Sequence, residues 1–307
     1  MKKLLEESPL ILAEAAIAER LRRMEDVTLH PLLFNTPLIY DPVGAQKMSA
    51  LYFQYIDLAR HHQLPLLLAA PTWRLDQDRI TQADVPSTIN TDAVNYMLTL
   101  RDQALKKTVS PPIKVGGLLG PKNDCYSPEQ ALSIEEAGAF HQKQARELSA
   151  AGVDFLDAQT LPSVSEALGL ARAMTATGTP SIVSFCINRQ GQVLDGHSLE
   201  EAIRLIDSQL DQPLLGYMVN CAYPAFLCPE QQSEFVFSRL IGFQANASSL
   251  DTCDLEKASE TQQDSLEDWG DRMIQLNQKY RLPILGGCCG TTDEHLRYIA
   301  ENTSCST

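Results

Sequence analysis

The sequence predicts an α/β fold, a (β/α)8 TIM barrel occupying one domain over residues 1–307, and three observations predict it. Eight short apolar runs recur along the chain, longer stretches of helical periodicity separate them, and Pro or Gly stands beside six of the runs. Runs without polar alternation read as strands buried on both faces, the pattern of parallel sheets. Strands alternating with helices make parallel βαβ units. Eight such units can close into a barrel, a fold that commonly takes about 250 residues.

In chain order the strand candidates are Pro9–Ala13, Leu64–Ala70, Ile113–Leu119, Val153–Ala158, Ser181–Ile187, Leu214–Asn220, Leu240–Ala245 and Leu282–Leu285. The stretches between them carry helix punctuation. Over Ser133–Ala151, Ser133 is placed to cap the start, Glu136 completes a capping box and Gly152 follows the end. Ser163–Thr177 and Ser265–Tyr280 behave alike. The competing fold, an open doubly wound sheet, usually places a Gly-rich phosphate loop after its first strand, and none follows Ala13. No internal repeat, low-complexity tract or linker divides the chain.

Composition narrows the partners. Lys and Arg number 25 against 39 Asp and Glu, a formal charge of −14. Such a chain repels nucleic acid and anionic lipid, so neither a nucleic-acid nor a membrane partner is expected. Glu6, Glu7 and Glu14 interrupt the apolar stretch at the N-terminus, which argues against a signal peptide. The expected location is cytoplasmic, where cysteines stay reduced.

In a barrel, chemistry belongs just after the strands, on one face. Here those positions are Glu14, Pro71–Arg74, Gly120–Cys125, Gln159–Thr160, Asn188, Asn220–Cys221, Asn246 and 286–291. The eight cysteines do not distribute evenly among them. Cys288 and Cys289 are adjacent, flanked by Gly286, Gly287 and Gly290, directly after the last strand; Cys221 closes the sixth. The glycines permit backbone conformations that let both sulfurs turn to one point. Three thiolates from two strand ends form three corners of a tetrahedron and leave the fourth open, as in catalytic zinc sites. Soft sulfur ligands favour zinc over hard cations. Such a centre suits a substrate thiolate in the open position and a cationic methyl donor facing it. Cys125, Cys186, Cys228, Cys253 and Cys305 read as small buried apolar residues.

Other strand-end residues offer supporting roles. Trp73 can attract a cationic donor through its ring, and Arg74 can hold a carboxylate. Asn246 is expected to contact substrate, and Asn220 to orient the Cys221 loop. His61, His62, His141 and His197 fall outside the strand ends and read as surface or helix residues. Lys122 and Asp124 lie on a strand-end loop that could cover the site.

The segment Gly286-Gly287-Cys288-Cys289-Gly290-Thr291-Thr292-Asp293-Glu294-His295, with Val219-Asn220-Cys221, resembles the paired cysteine signature of the homocysteine S-methyltransferases. Gly152-Val153-Asp154-Phe155-Leu156 and the Asp195-Gly196 turn extend the resemblance from about Leu12 to Ala300. It implies the same barrel, a Zn2+ cofactor and the ligands Cys221, Cys288 and Cys289. The chain departs from the family at the acceptor pocket. Glu14-Ala15-Ala16 stands where the family carries Asp-Gly-Gly. Gln159 stands where it carries a Glu expected to grip the amino group of homocysteine. Thr72, Trp73 and Arg74 replace a Thr-Asn-Thr pattern. Glu14, Thr72, Trp73, Gln159, Asn220 and Asn246 are therefore the substrate-binding candidates.

The expected activity is methyl transfer from a small sulfonium or ammonium donor to a thiol such as homocysteine, within methionine biosynthesis. A barrel that binds a thiol or amino acid without methyl transfer, and one that methylates a different thiol or selenol, are the alternatives. A homo-oligomer, and a corrinoid protein partner delivering the methyl group, stay open.

Overall fold

The computed structural model describes residues 1–107, 110–250 and 263–303. Eight parallel strands close into a barrel in sequence order: β1 Ile11–Ala13, β2 Leu66–Ala70, β3 Ile113–Leu119, β4 Phe155–Leu161, β5 Ser181–Phe185, β6 Gly216–Asn220, β7 Leu240–Ala245 and β8 Ile284–Gly287. Closure is made by β1 against β8, with Ile11 beside Ile284 and Leu12 beside Leu285. All eight expected runs become strands, and β3 and β7 keep the expected bounds. The fold is the (β/α)8 barrel that the alternating pattern predicts.

Helices cover the outside. The described ones are α1 Lys2–Glu7, α2 Ala18–Arg22, α3 Pro42–His61, α4 Gln77–Gln82, α5 Ile89–Lys107, α6 Ile134–Ala150, α7 Val164–Thr175, α8 Leu199–Ser208, α9 Glu234–Arg239, α10 Leu266–Gln278 and α11 Asp293–Asn302. Their starts follow local chemistry. Ser133 and Glu136 form the reciprocal capping box at α6, and Ser198 with Glu201 repeats it at α8. Each such cap contributes about 1 kcal/mol. No described helix is long and apolar enough to cross a membrane.

Two apolar layers result. Outward strand residues and inward helix faces form the main core around Tyr52, Tyr55, Phe185, Phe243 and Trp269. Inside the barrel a separate cluster of Ile11, Leu67, Phe155, Ile182, Met218 and Ile284 fills the lower end. Above it the inward positions turn polar. This change explains the largest boundary difference. The apolar run on β4 ends at Ala158, yet the strand continues to Leu161, because Asp157 and Gln159 alternate with apolar neighbours and follow Phe155 on the inward face. A register shift against β5 between Ala158 and Leu161 places Thr160 at φ 65°.

Candidate active site

The cavity opens at the upper end of the barrel, with a volume of about 310 Å³. Glu14, Trp73, Arg74, Gln159, Asn220 and the three cysteines Cys221, Cys288 and Cys289 line it, as does the loop segment Asp124–Tyr126. The Cys221, Cys288 and Cys289 sulfurs all lie within 4.8 Å of one another. Those of Cys221 and Cys288, on Cα atoms 5.6 Å apart, are in direct contact. Zinc–sulfur bonds of about 2.3 Å at a tetrahedral angle separate sulfurs by roughly 3.8 Å. Three soft donors gathered within 4.8 Å of one another, half-buried at a cavity wall, are of the right type to hold a thiophilic ion once the Cys221 and Cys288 sulfurs part to that tetrahedral spacing.

The backbone around the cysteines is built for this gathering. Cys288 N donates to Ala245 O at 2.7 Å and Cys289 N to Asn246 Oδ1 at 3.2 Å, so β7 holds the cysteine pair. Gly290 turns the chain at φ 78°, where a side chain would be strained. Cys221 adopts φ 52° without being glycine. Backbone strain of about 1–3 kcal/mol at such a residue persists only when its surroundings enforce it. Asn220 supplies that enforcement. It is buried, with Oδ1 accepting from Thr160 N at 2.9 Å and from Ser184 Oγ at 2.7 Å, while Nδ2 donates to Thr160 Oγ1 at 2.8 Å. Its polar atoms are therefore engaged by protein, on the residue directly before Cys221.

A chain of polar groups also runs through the barrel interior. Glu14 Oε2 accepts from Ala69 N at 2.8 Å. Burial pushes its carboxyl up to about 8, the Ala69 bond opposes this, and the charge of Asp157 adds to it. Gln159 Nε2 donates to Asp157 Oδ2 at 2.8 Å and to Gln244 Oε1 at 2.7 Å, and Gln244 Nε2 reaches Glu14 O at 3.4 Å. Asp157 is pushed up to about 7 by burial, against the lowering effect of its Gln159 bond.

Trp73 forms another part of the wall. Its Nε1 donates to Gln159 O at 3.1 Å, its ring stacks on Phe34 with centroids 5.8 Å apart, and the Arg74 guanidinium lies 4.2 Å from its centroid. Arg74 Nη1 also donates to Asn123 O at 3.1 Å. It is the only basic side chain among the described residues of the lining.

Two of the substrate-binding candidates fall outside the lining. Thr72 is fully buried, its Oγ1 donating to Leu118 O at 2.8 Å and accepting from Leu118 N at 2.9 Å. It ties β2 to β3. Asn246 is buried beneath Cys289, which its side chain holds, while its carbonyl accepts from Trp269 Nε1 at 2.9 Å. Both follow strands in the sequence, but their side chains turn into the wall. Asn188 and Lys122 also lie outside the lining.

Among the other cysteines, Cys125 is buried and lines the cavity, its thiol pushed up to about 12 by desolvation. Cys186 is buried, and Cys228 is only half-buried, donating to Arg189 O at 3.3 Å. Cys253 and Cys305 lie outside the described residues. His141 sits on α6 but is buried, 3.2 Å from Glu166 Oε1.

Asp157, Gln244 and the loop Phe34–Thr36 are parts of this site or its support that strand-end reasoning missed. For Asp157 and Gln244 the signal was present: each stands in register with an inward residue of its strand. For the loop the sequence offers no periodic signal.

Comparison with known proteins bears on the whole arrangement. A family model described as homocysteine S-methyltransferase matches residues 16–303. The metallated form of the homocysteine methyltransferase MmuM from Escherichia coli superposes with a TM-score of 0.75 at 18% identity, covering 97% of this chain and 98% of that one. Its oxidised form gives 0.75 at 17% identity, with 97% of each chain covered. The apo form gives 0.68 at 18% identity and 98% coverage of both. At these identities the structures speak for the fold, and the family match over nearly the full length speaks for the activity class. The chain belongs to the homocysteine S-methyltransferase family and is a methyltransferase on a closed (β/α)8 barrel.

Proposed function

We propose that residues 1–307 form one catalytic domain that binds zinc through Cys221, Cys288 and Cys289 and transfers a methyl group from a small sulfonium or ammonium donor to homocysteine or a closely related thiol. The observation that carries this reading is the gathering of three sulfurs from the ends of β6 and β8 at the wall of a closed-bottom cavity. Zinc held by three cysteinates favours the thiolate form of an acceptor near neutral pH.

The protein residues do the rest. Asn220 and Asn246 hold the two cysteine-bearing loops. Glu14 and Gln159 face the amino group of an amino-acid thiol, and Arg74 offers its remaining N–H groups to the carboxylate. Trp73 and Phe34 give the apolar wall that excludes water beside the reacting sulfur. The small cavity and acidic lining suit a compact cationic donor. A cytoplasmic, reducing setting suits the thiolate ligands, and the product places the enzyme in methionine biosynthesis.

The test is direct. Reduced protein is incubated with homocysteine and, in turn, S-methylmethionine, S-adenosylmethionine and betaine, and methionine is read by mass spectrometry. Methionine with at least one donor supports the reading. Its absence with all three, from protein that carries zinc, refutes small-donor methyl transfer to homocysteine.

A further inference from the structure

Below the cavity lies a carboxylate for which the cysteine cluster has no use. Asp157 points inward from the middle of β4, one alternation above Phe155 and one below Gln159. It is 4% exposed, and its Oδ1 has no hydrogen-bond partner among the described residues. Oδ2 is bound by Gln159 Nε2 at 2.8 Å. Among the described residues it forms no ion pair. A buried carboxylate with one oxygen unfilled and no countercharge is unfavourable unless something positive completes the site.

The neighbouring amide shows where that positive group would stand. Both Gln159 amide hydrogens are committed, one to Asp157 and the other to Gln244 Oε1 at 2.7 Å. A carboxylate accepts only, so Asp157 fixes which way the amide faces. Gln159 Oε1 is left as an acceptor on a side chain that lines the cavity. A charge behind the N–H end polarises the amide and strengthens its carbonyl as an acceptor. Glu14 brings a second carboxyl from β1. Because β1 and β4 are not adjacent in the barrel, their mutual repulsion acts through its interior.

We propose that Asp157 is a positioning residue for an amino-acid thiol: it holds Gln159 so that Oε1 accepts a hydrogen bond from the ligand's ammonium group, and with Glu14 it supplies the charge that this ammonium neutralises. The inference rests on reading the cavity as a thiol-acceptor site. A carboxylate one step deeper in the barrel thereby stands behind a neutral contact residue.

The experiment is calorimetric titration of the reduced, zinc-loaded protein with L-homocysteine and with 4-mercaptobutyrate, which lacks only the amino group. The wild type prefers homocysteine by at least about tenfold, the size of a charge-assisted contact. Asp157→Asn keeps an oxygen to receive Gln159 Nε2 but removes the charge; the preference collapses while 4-mercaptobutyrate binds as before. The swapped pair, Asp157→Asn with Gln159→Glu, keeps one carboxylate and one amide in contact and restores the preference. A wild type with no preference, or a preference untouched by Asp157→Asn, overturns the proposal. The same ratio measured with L-methionine and 4-(methylthio)butyrate, which carry no thiol, separates the two readings. If the thiols fail to bind but this pair still discriminates through Asp157, the ammonium site stands and the thiol-acceptor reading falls; if this pair does not discriminate, the ammonium site falls.

Discussion

Asn220 and Thr160 hold each other through two hydrogen bonds, at 2.9 and 2.8 Å, and the residue following Asn220 is the cysteine that closes β6. Thr160 and Cys221 both take positive φ, 65° and 52°, so the clasp reaches past β5 to join strained points at the ends of β4 and β6. Thr160 Oγ1 also lies 4.0 Å from Cys221 Sγ. Replacing Asn220 with Ala removes this clasp and leaves the Cys221 backbone held mainly by its own bond to Gln244 O at 3.2 Å. Zinc affinity, measured by competition with a chromogenic chelator, is expected to fall about 10–100-fold, the usual effect of losing a residue that orients a ligand.

Removing a ligand has a larger effect. Cys288→Ala is expected to lower zinc content, read by plasma emission spectrometry, from about one ion per chain to near zero, because two thiolates do not make a catalytic zinc site. The sulfur contact between Cys221 and Cys288 adds a condition. Wild-type protein is expected to bind zinc in the presence of a reductant, and oxidation that joins those two sulfurs is expected to abolish binding, since only thiolates are ligands. Zinc retained at full stoichiometry in Cys288→Ala would remove this residue from the ligand set.

The carboxyls in the barrel interior set a pH dependence. Glu14 is raised to about 8 and Asp157 to about 7, chiefly by burial. An acid whose folded pKa lies above its unfolded value holds its proton more tightly in the native state. Its contribution therefore falls as pH rises from the ordinary carboxylate range, and the loss is complete above the folded pKa. For the reduced, metal-free protein, the melting temperature from calorimetry is expected to drop between pH 5.5 and 8.5, by about 5 °C or more. Asp157→Asn flattens a good part of this slope. Tyr52 is held well above its usual range by burial, with Glu14 adding to the shift, and stays neutral throughout.

Gly120 sits against the Trp73 indole so closely that a Cβ there would lie 2.5 Å from Nε1. Gly120→Ala is expected to push the ring toward the cavity and break its bond to Gln159 O. Overpacking of this kind costs about 1–3 kcal/mol of stability. The kinetic signature is a raised KM for the acceptor with the zinc content intact. An unchanged KM would mean that the indole has no part in shaping the acceptor pocket.

Glu166 anchors the loop that reaches the cavity. It is fully buried on α7 and accepts from Lys122 N at 2.8 Å, Leu132 N at 3.3 Å and His141 Nε2 at 3.2 Å. Glu166→Ala strands these donors and is expected to cost about 3 kcal/mol, read by urea denaturation. Protease susceptibility should rise within residues 122–132, the stretch that Lys122 and Leu132 bracket.

How much of this was legible in the sequence depends on which way a residue faces. The strand count, the order and the capping box at Ser133 could be read because apolar runs and caps are local signals. Cys221, Cys288 and Cys289 could be brought together because strand ends in a barrel share one face. Thr72 and Asn246 share that position too, but each side chain turns into the wall, one to Leu118 and one to Cys289. A position after a strand says nothing about that turn. Asp157 and Gln244 were passed over for the opposite reason. They lie within strands, where a barrel interior is expected to carry apolar side chains, and the polar upper half of this barrel accommodates them.

The apolar layer of Ile11, Leu67, Phe155, Ile182, Met218 and Ile284 has a kinetic corollary. It turns the barrel into a blind well. Whatever enters deepest must leave last, past anything resting above it. A thiol seated by Gln159 would be covered by the donor it reacts with, and the spent donor would have to depart before the methylated product could. A well closed at its bottom would thus impose a queue on the reaction.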